Sequence, residues 1–252
     1  MASSISSAGD GPPQPYRVFG YGSLIFKPPP NVVNRSEQRR PYLQLELAAY
    51  SDSSWYIKGY VRRFAQSSTD HRGTPEAPGR VVTLIPVNEW ESLYGHETFP
   101  GHDVVWGVVY EINPDPLLSR ETFDYLEYRE KEGYTVHIED VYAAGGSVIT
   151  EGAVVRAQSK SFSPTNVGKK LQLHAFGSLD GGETKLLSLR LHIVGAEPLD
   201  QLAAHIWRSV GPSGPNKDYL FGIARAVREL APDSDDPYLF ELERIILEMD
   251  QS

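Results

Sequence analysis

The run Val104-Val105-Trp106-Gly107-Val108-Val109-Tyr110 is apolar almost without interruption. A strand with one wet face alternates apolar with polar residues, so this one needs cover on both faces. Arg80-Val81-Val82-Thr83-Leu84-Ile85 is short and β-branched and reads as a central strand. Such strands require a sheet packed on both sides or curled into a barrel. The end of the chain supplies helices to cover it. Leu199, Leu202, Ala203, Ile206, Trp207 and Val210 recur at helical spacing, as do Leu220, Ile223, Ala224, Val227 and Leu230. Asp236-Pro237 caps a last helix with Leu239, Ile246 and Met249 inward. Strands and helices are grouped rather than alternating, which predicts an α+β fold: a small closed or partly open β-barrel with flanking helices.

The remaining segments fit around that frame. Residues 58–66 read as a strand with Tyr60, Arg62 and Phe64 on one face. Asp115-Pro116 starts a helix that carries Leu118, Tyr125 and Leu126 on one side and runs through Glu130 to a stop at Gly133. Tyr134, Val136 and Ile138 alternate with Thr135, His137 and Glu139, a strand with one wet face. Residues 27–54 open with Pro28-Pro29-Pro30 and read as an exposed connection. Residues 145–195 read as loops with one or two strands, partly disordered over 160–185. We expect a disordered leader at 1–14 and a single domain over 15–252, with insertions near 28–55, 88–102 and 146–191.

Composition removes several function classes. Twenty-four basic against 33 acidic residues give a net charge of −9, which argues against nucleic acid as the main partner. No stretch of about 18 apolar residues is present, so no membrane span is expected. The first 14 residues have no apolar signal core, which predicts a cytoplasmic protein. Cysteine is absent, so disulfides, zinc thiolates and a cysteine nucleophile are excluded. His96 and His102 stand six residues apart around Pro100 and Gly101, a poor match to zinc-ligand spacing on a helix, and we expect no metal.

Two stretches carry candidate chemistry. In Arg17-Val18-Phe19-Gly20-Tyr21-Gly22-Ser23-Leu24-Ile25-Phe26 a buried strand breaks at a turn with two glycines and a serine. It lacks the third glycine of a dinucleotide site, the Gly-Lys-Ser/Thr of a phosphate loop and the spacing of a nucleophile elbow. A structural corner is one reading. The other is a loop whose amides hold an anion such as a carboxylate. Glu130, in Tyr128-Arg129-Glu130-Lys131, reads by itself as part of a solvated charged turn. Its place at a helix C-terminus, with Tyr125 and Tyr128 nearby, would raise its pKa toward that of a base working near neutrality, while Arg129 and Lys131 oppose that shift. Arg72, in Asp70-His71-Arg72-Gly73, is a candidate for a second carboxylate, and Tyr219 either closes a pocket or packs.

These pieces together resemble the ChaC-type γ-glutamylcyclotransferases, the glutathione-specific branch of their superfamily. The matching residues are the stretch Val18-Phe19-Gly20-Tyr21-Gly22-Ser23-Leu24-Ile25, Arg62-Arg63-Phe64, Ser68-Thr69-Asp70-His71-Arg72-Gly73, and Pro78-Gly79-Arg80-Val81-Val82-Thr83-Leu84. Trp106-Gly107-Val108, Tyr128-Arg129-Glu130-Lys131, Gly211-Pro212-Ser213-Gly214 and Tyr219-Leu220 follow in the same order. Where the family reads Glu-Lys-Gly-Gly-Tyr, this chain has Glu130-Lys131-Glu132-Gly133-Tyr134, one charge more. The resemblance implies a compact β-barrel with helices. It implies cleavage of glutathione to 5-oxoproline and cysteinylglycine without cofactor or metal, with Glu130 as proton acceptor and Val18, Phe19, Gly20, Tyr21, Gly22 and Ser23 as the substrate loop. Arg72 is then a candidate reader of the glycine carboxylate. Two other readings stay open: a cyclotransferase for other γ-glutamyl peptides or γ-glutamylamines, and a non-catalytic γ-glutamyl-peptide-binding protein.

Overall fold

The computed structural model describes residues 17–35, 55–94, 103–129, 135–143, 146–157, 194–232, 234 and 236–251. Along the chain the strands are β1 (Arg17–Gly20), β2 (Val32–Arg35), β3 (Trp55–Lys58), β4 (Tyr60–Ser68), β5 (Gly79–Pro86), β6 (Val104–Ile112), β7 (Thr135–Ala143), β8 (Val148–Ala157), β9 (Val210–Gly211) and β10 (Gly214–Pro215). The helices are α1 (Val87–Tyr94), α2 (Pro116–Arg129), α3 (Leu199–Arg208), α4 (Asn216–Leu230) and α5 (Pro237–Met249). The architecture is mixed, with helices packed on sheet. The expected leader, the disorder expected over 160–185, His96, His102 and Glu130 lie outside the described residues.

The apolar run is the organising strand. β6 pairs with β1, β2 and β3, and Val108, Val109, Tyr110 and Ile112 are buried along it. The six-stranded sheet has the order β1, β8, β7, β3, β6, β2, and β1 pairs additionally with β6. β1 runs antiparallel to β6, with Val18 opposite Tyr110, and parallel to β8. Gly107 permits the close approach of β6 to the end of β1, because a Cβ there would lie 2.3 Å from the Gly20 carbonyl oxygen. The C-terminal helices bury the stripes read from the sequence, and Leu220, Ile223, Val227, Leu239 and Ile246 share one core with β1 and β6.

Two sequence expectations are corrected. The stretch read as a connection contains β2, which pairs with the end of β6. The three prolines do stop regular structure, but Asn31 then turns the chain in the left-handed region, at φ 56°, a conformation that Asn tolerates. Its Nδ2 donates to the Leu118 carbonyl at 3.1 Å, tying the corner to α2. The strand expected to be central, β5, pairs among the described residues only with β4, in a separate two-stranded sheet. It is buried because α3 and α4 pack over it and α1 covers the other side through Trp90, which joins Val61, Ala65 and Ile85 in a small second core. Burial under helices and burial between strands leave the same apolar sequence.

Candidate active site

A cavity of about 280 Å³ opens between the glycine turn and the end of α2 on one side and β5, the 71–72 loop, the β9–β10 hairpin and α4 on the other. β1 ends at Gly20, and Ser23, Leu24 and Ile25 form a single 3₁₀ turn. The turn is closed by Ile25 N–H to the Gly22 carbonyl at 3.0 Å and Lys27 N–H to the Ser23 carbonyl at 2.8 Å. Tyr110 of β6 pins it from below, donating its hydroxyl to the Leu24 carbonyl at 2.5 Å. Tyr21, Gly22 and Ser23 therefore face the cavity, joined by Leu24 and Lys27. Val18, Phe19 and Gly20 are buried in β1 and do not line it. A Cβ on Gly22 would meet Val82 Cγ2 at 3.0 Å and the Tyr219 hydroxyl at 3.3 Å, so glycine lets the turn close onto β5 and α4.

α2 starts as its sequence dictates. Asp115 Oδ1 accepts from Leu117 N–H at 2.9 Å and Leu118 N–H at 3.2 Å, with Pro116 at the first helical position. One face, with Thr122 and Leu126, is buried. Tyr125 and Arg129, four residues apart and hence on one side of the helix, line the cavity. Tyr128, expected to add aromatic surface near Glu130, is 65% exposed. Arg129 reaches back to the glycine turn, donating to Ser23 Oγ at 2.5 Å and to the Lys27 carbonyl at 3.1 Å. Glu130 follows Arg129 in the chain but is not among the described residues.

The far wall is built around Arg72. Its side chain is buried, donates to the Pro215 carbonyl at 2.9 Å and lies 5.4 Å from the centre of the Tyr219 ring. Burial pulls its pKa below the ordinary guanidinium value, an effect that Tyr219 and Asp218 oppose. No carboxylate among the described residues forms an ion pair with it. The wall is fastened from behind by Asn216, fully buried at the start of α4. Its Oδ1 accepts from Arg80 N–H at 2.6 Å and its Nδ2 donates to the Arg80 carbonyl at 2.7 Å. Tyr219 thus both packs and lines the cavity.

His71 and Ser213 also reach the cavity, 3.4 Å apart, with Asp70 3.8 Å from the other ring nitrogen. These distances are long for a hydrogen-bonded nucleophile and base, and the Asp70 carboxylate is 41% exposed rather than buried behind the imidazole. What the lining offers instead is positive charge. Lys27, Arg72 and Arg129 face the space, and no acidic residue among the described ones does. The sequence reading singled out Arg72 and the turn. It gave no role to Lys27, in a stretch read as an exposed connection, or to Ser213, quoted only within the matching Gly211-Pro212-Ser213-Gly214, and it weighed Arg129 only as a charge opposing the Glu130 shift.

The family description "ChaC-like protein" matches residues 46–176 and 188–249. A protein of Schizosaccharomyces pombe named glutathione-specific γ-glutamylcyclotransferase is 34% identical over 90% of this chain and 89% of its own length. A protein of the same name from Saccharomyces cerevisiae is 34% identical over 84% of this chain and 85% of its own. A crystal structure of a yeast γ-glutamyl cyclotransferase specific to glutathione superposes with a TM-score of 0.66 at 28% identity, covering 93% of this chain and 96% of that one.

Proposed function

The chain belongs to the ChaC-like protein family, and from that premise we propose that it is a glutathione-specific γ-glutamylcyclotransferase, converting glutathione to 5-oxoproline and cysteinylglycine. The observation that carries the reading from relatives to this chain is the cavity. Its size suits a small peptide, and its three cations suit a ligand with a carboxylate at each end.

The reaction needs no nucleophile from the enzyme. The α-amine of the γ-glutamyl group attacks its own γ-carbonyl carbon and closes a five-membered ring. The C–N bond to cysteine then breaks, and the departing amine takes a proton. Because the attack is intramolecular, the enzyme's work is to hold the folded conformer and to move protons. An ammonium cannot attack, so a base must first remove its proton. We assign that role to Glu130, which can return the proton to the leaving amine; general acid–base work of this kind contributes about 10²–10⁴-fold. Its support is its position in the chain, next to cavity-lining Arg129.

Tyr21, Gly22 and Ser23 are the part of the proposed substrate loop that faces the cavity, with Val18, Phe19 and Gly20 as the buried strand beneath it. Arg72 is assigned the glycine carboxylate, supported by its burial and by its lack of an ion-pair partner among the described residues. We also read the six-stranded sheet as a small barrel, which the second pairing of β1 supports. Among the described residues no helix is long and apolar enough to cross a membrane.

The test is incubation of the purified protein with glutathione, with and without EDTA, followed by mass spectrometry. Equal amounts of 5-oxoproline and cysteinylglycine, unaffected by chelator, are expected. Faster turnover of γ-glutamyl-alanine than of glutathione would overturn the assigned specificity. No turnover of either would overturn the reaction.

A further inference from the structure

Arg129 does more than line the cavity. Its Nη2 donates to Ser23 Oγ at 2.5 Å, and its Nη1 donates to the Tyr125 hydroxyl at 3.1 Å. A hydroxyl that accepts from a guanidinium keeps its own hydrogen to give elsewhere. Among the described residues neither of these two hydroxyls finds an acceptor, and both side chains line the cavity. No carboxylate among the described residues neutralises Arg129 either. One cation therefore holds two hydroxyls as donors on the same stretch of wall.

We infer that Arg129 is a positioning residue that fixes the Ser23 and Tyr125 hydroxyls as donors into the cavity, and that this pair receives the α-carboxylate of a γ-glutamyl head group. The inference rests on the γ-glutamyl substrate proposed above. The α-carboxylate is the fitting group for two reasons. It shares a carbon with the amine that Glu130, the next residue in the chain, is proposed to deprotonate. It is also a full anion before reaction begins, and donors polarised by a nearby cation are strongest toward a full charge. Arg72, on the other wall, is left for the distal carboxylate. Because the α-carboxylate carries the same charge in ground and transition states, losing its donors weakens binding rather than turnover.

Two substrates separate this role from a purely structural tie between α2 and the turn. One is glutathione. The other is γ-aminobutyryl-cysteinylglycine, which cyclises by the same chemistry and lacks only the α-carboxylate. Arg129→Met and Ser23→Ala are each expected to raise KM for glutathione about 10- to 100-fold with kcat little changed. Neither is expected to alter KM for the analogue. Adding Ser23→Ala to Arg129→Met should cost little more, because the two act through one contact. Equal losses on both substrates, or a fall in kcat at unchanged KM, would overturn the assignment. Ser23→Ala removes one oxygen atom and carries the prediction if Arg129→Met does not fold. If the wild-type protein turns over neither compound, the cyclotransferase reading fails separately. The same comparison is then read from calorimetric Kd values for glutathione and the analogue, and absence of any preference for glutathione overturns the α-carboxylate site.

Discussion

Arg72 and Arg129 face one cavity from different walls, and the chain holds them in different ways. Arg72 is 8% exposed, lies over the Tyr219 ring and is backed by a wall that Asn216 fastens through two bonds to the Arg80 backbone. Arg129 is half-buried at the last described turn of α2, and its hydrogen bonds go to the glycine turn and to its own helix. The first cation is set by the core. The second sets its neighbours. A fixed buried cation suits a contact that measures the length of a ligand. A cation that arranges hydroxyls suits the head-group end, where donors oriented beforehand fix the α-carboxylate and with it the neighbouring amine.

The proposed base, Glu130, directly follows α2 in the chain, so the largest effect should fall on that side. Glu130→Gln is expected to lower kcat by about 10²–10⁴-fold while calorimetry finds glutathione bound much as before. Near-normal turnover in this variant would remove the base from the α2 side and break the division of labour between the walls.

The next largest effect should be on stability and should come from the other wall. Asn216→Ala leaves the Arg80 N–H and carbonyl buried without partners. An unsatisfied buried polar group costs about 1–3 kcal/mol, so a loss of about 2–4 kcal/mol is expected in urea unfolding. If Asn216→Ala unfolded at the wild-type denaturant midpoint, the claim that the core sets the Arg72 wall would fail. Arg72→Met follows, with KM for glutathione raised about 10- to 100-fold. A γ-glutamylamine without a distal carboxylate should be turned over equally well by wild type and variant. An equal loss on the amine would mean that Arg72 supports the wall and does not read the ligand.

The two walls were also unequally legible in the sequence. The glycine turn stood out because glycine interrupting an apolar strand signals a backbone need, and Gly22 does close onto Val82 and Tyr219. The β6 run announced a strand covered on both faces, and β6 is the hub of the large sheet. The Asp115-Pro116 start placed α2 correctly, and with it Tyr125 and Arg129. The bond that gives Arg129 its role was not visible, since it spans 106 residues to Ser23 and an arginine in a charged run looks solvated. Asn216 was equally hidden. A polar residue after a Gly-Pro-rich break reads as a loop, and only the fold brings it against β5. Local signals show where the backbone bends or is buried, but not which distant polar group completes a site.

The smallest effect concerns the place where the walls touch. Gly22 belongs to the turn, while the atoms nearest its missing Cβ, Val82 Cγ2 at 3.0 Å and the Tyr219 hydroxyl at 3.3 Å, belong to the other wall. Gly22→Ala inserts one methyl between them. The Val82 methyl must shift by a few tenths of an ångström. Val82 is buried, so the shift passes into packed side chains, for a stability cost of about 1 kcal/mol. Spreading the walls lengthens the distance between the two proposed carboxylate contacts. The variant should therefore lose a few-fold in kcat/KM on glutathione, roughly what one kcal/mol allows. It should lose less on substrates that use only one wall, whether γ-aminobutyryl-cysteinylglycine or a γ-glutamylamine. The same loss on all three would mean that the methyl blocks entry rather than changing the span, and the two walls would then not measure the ligand together.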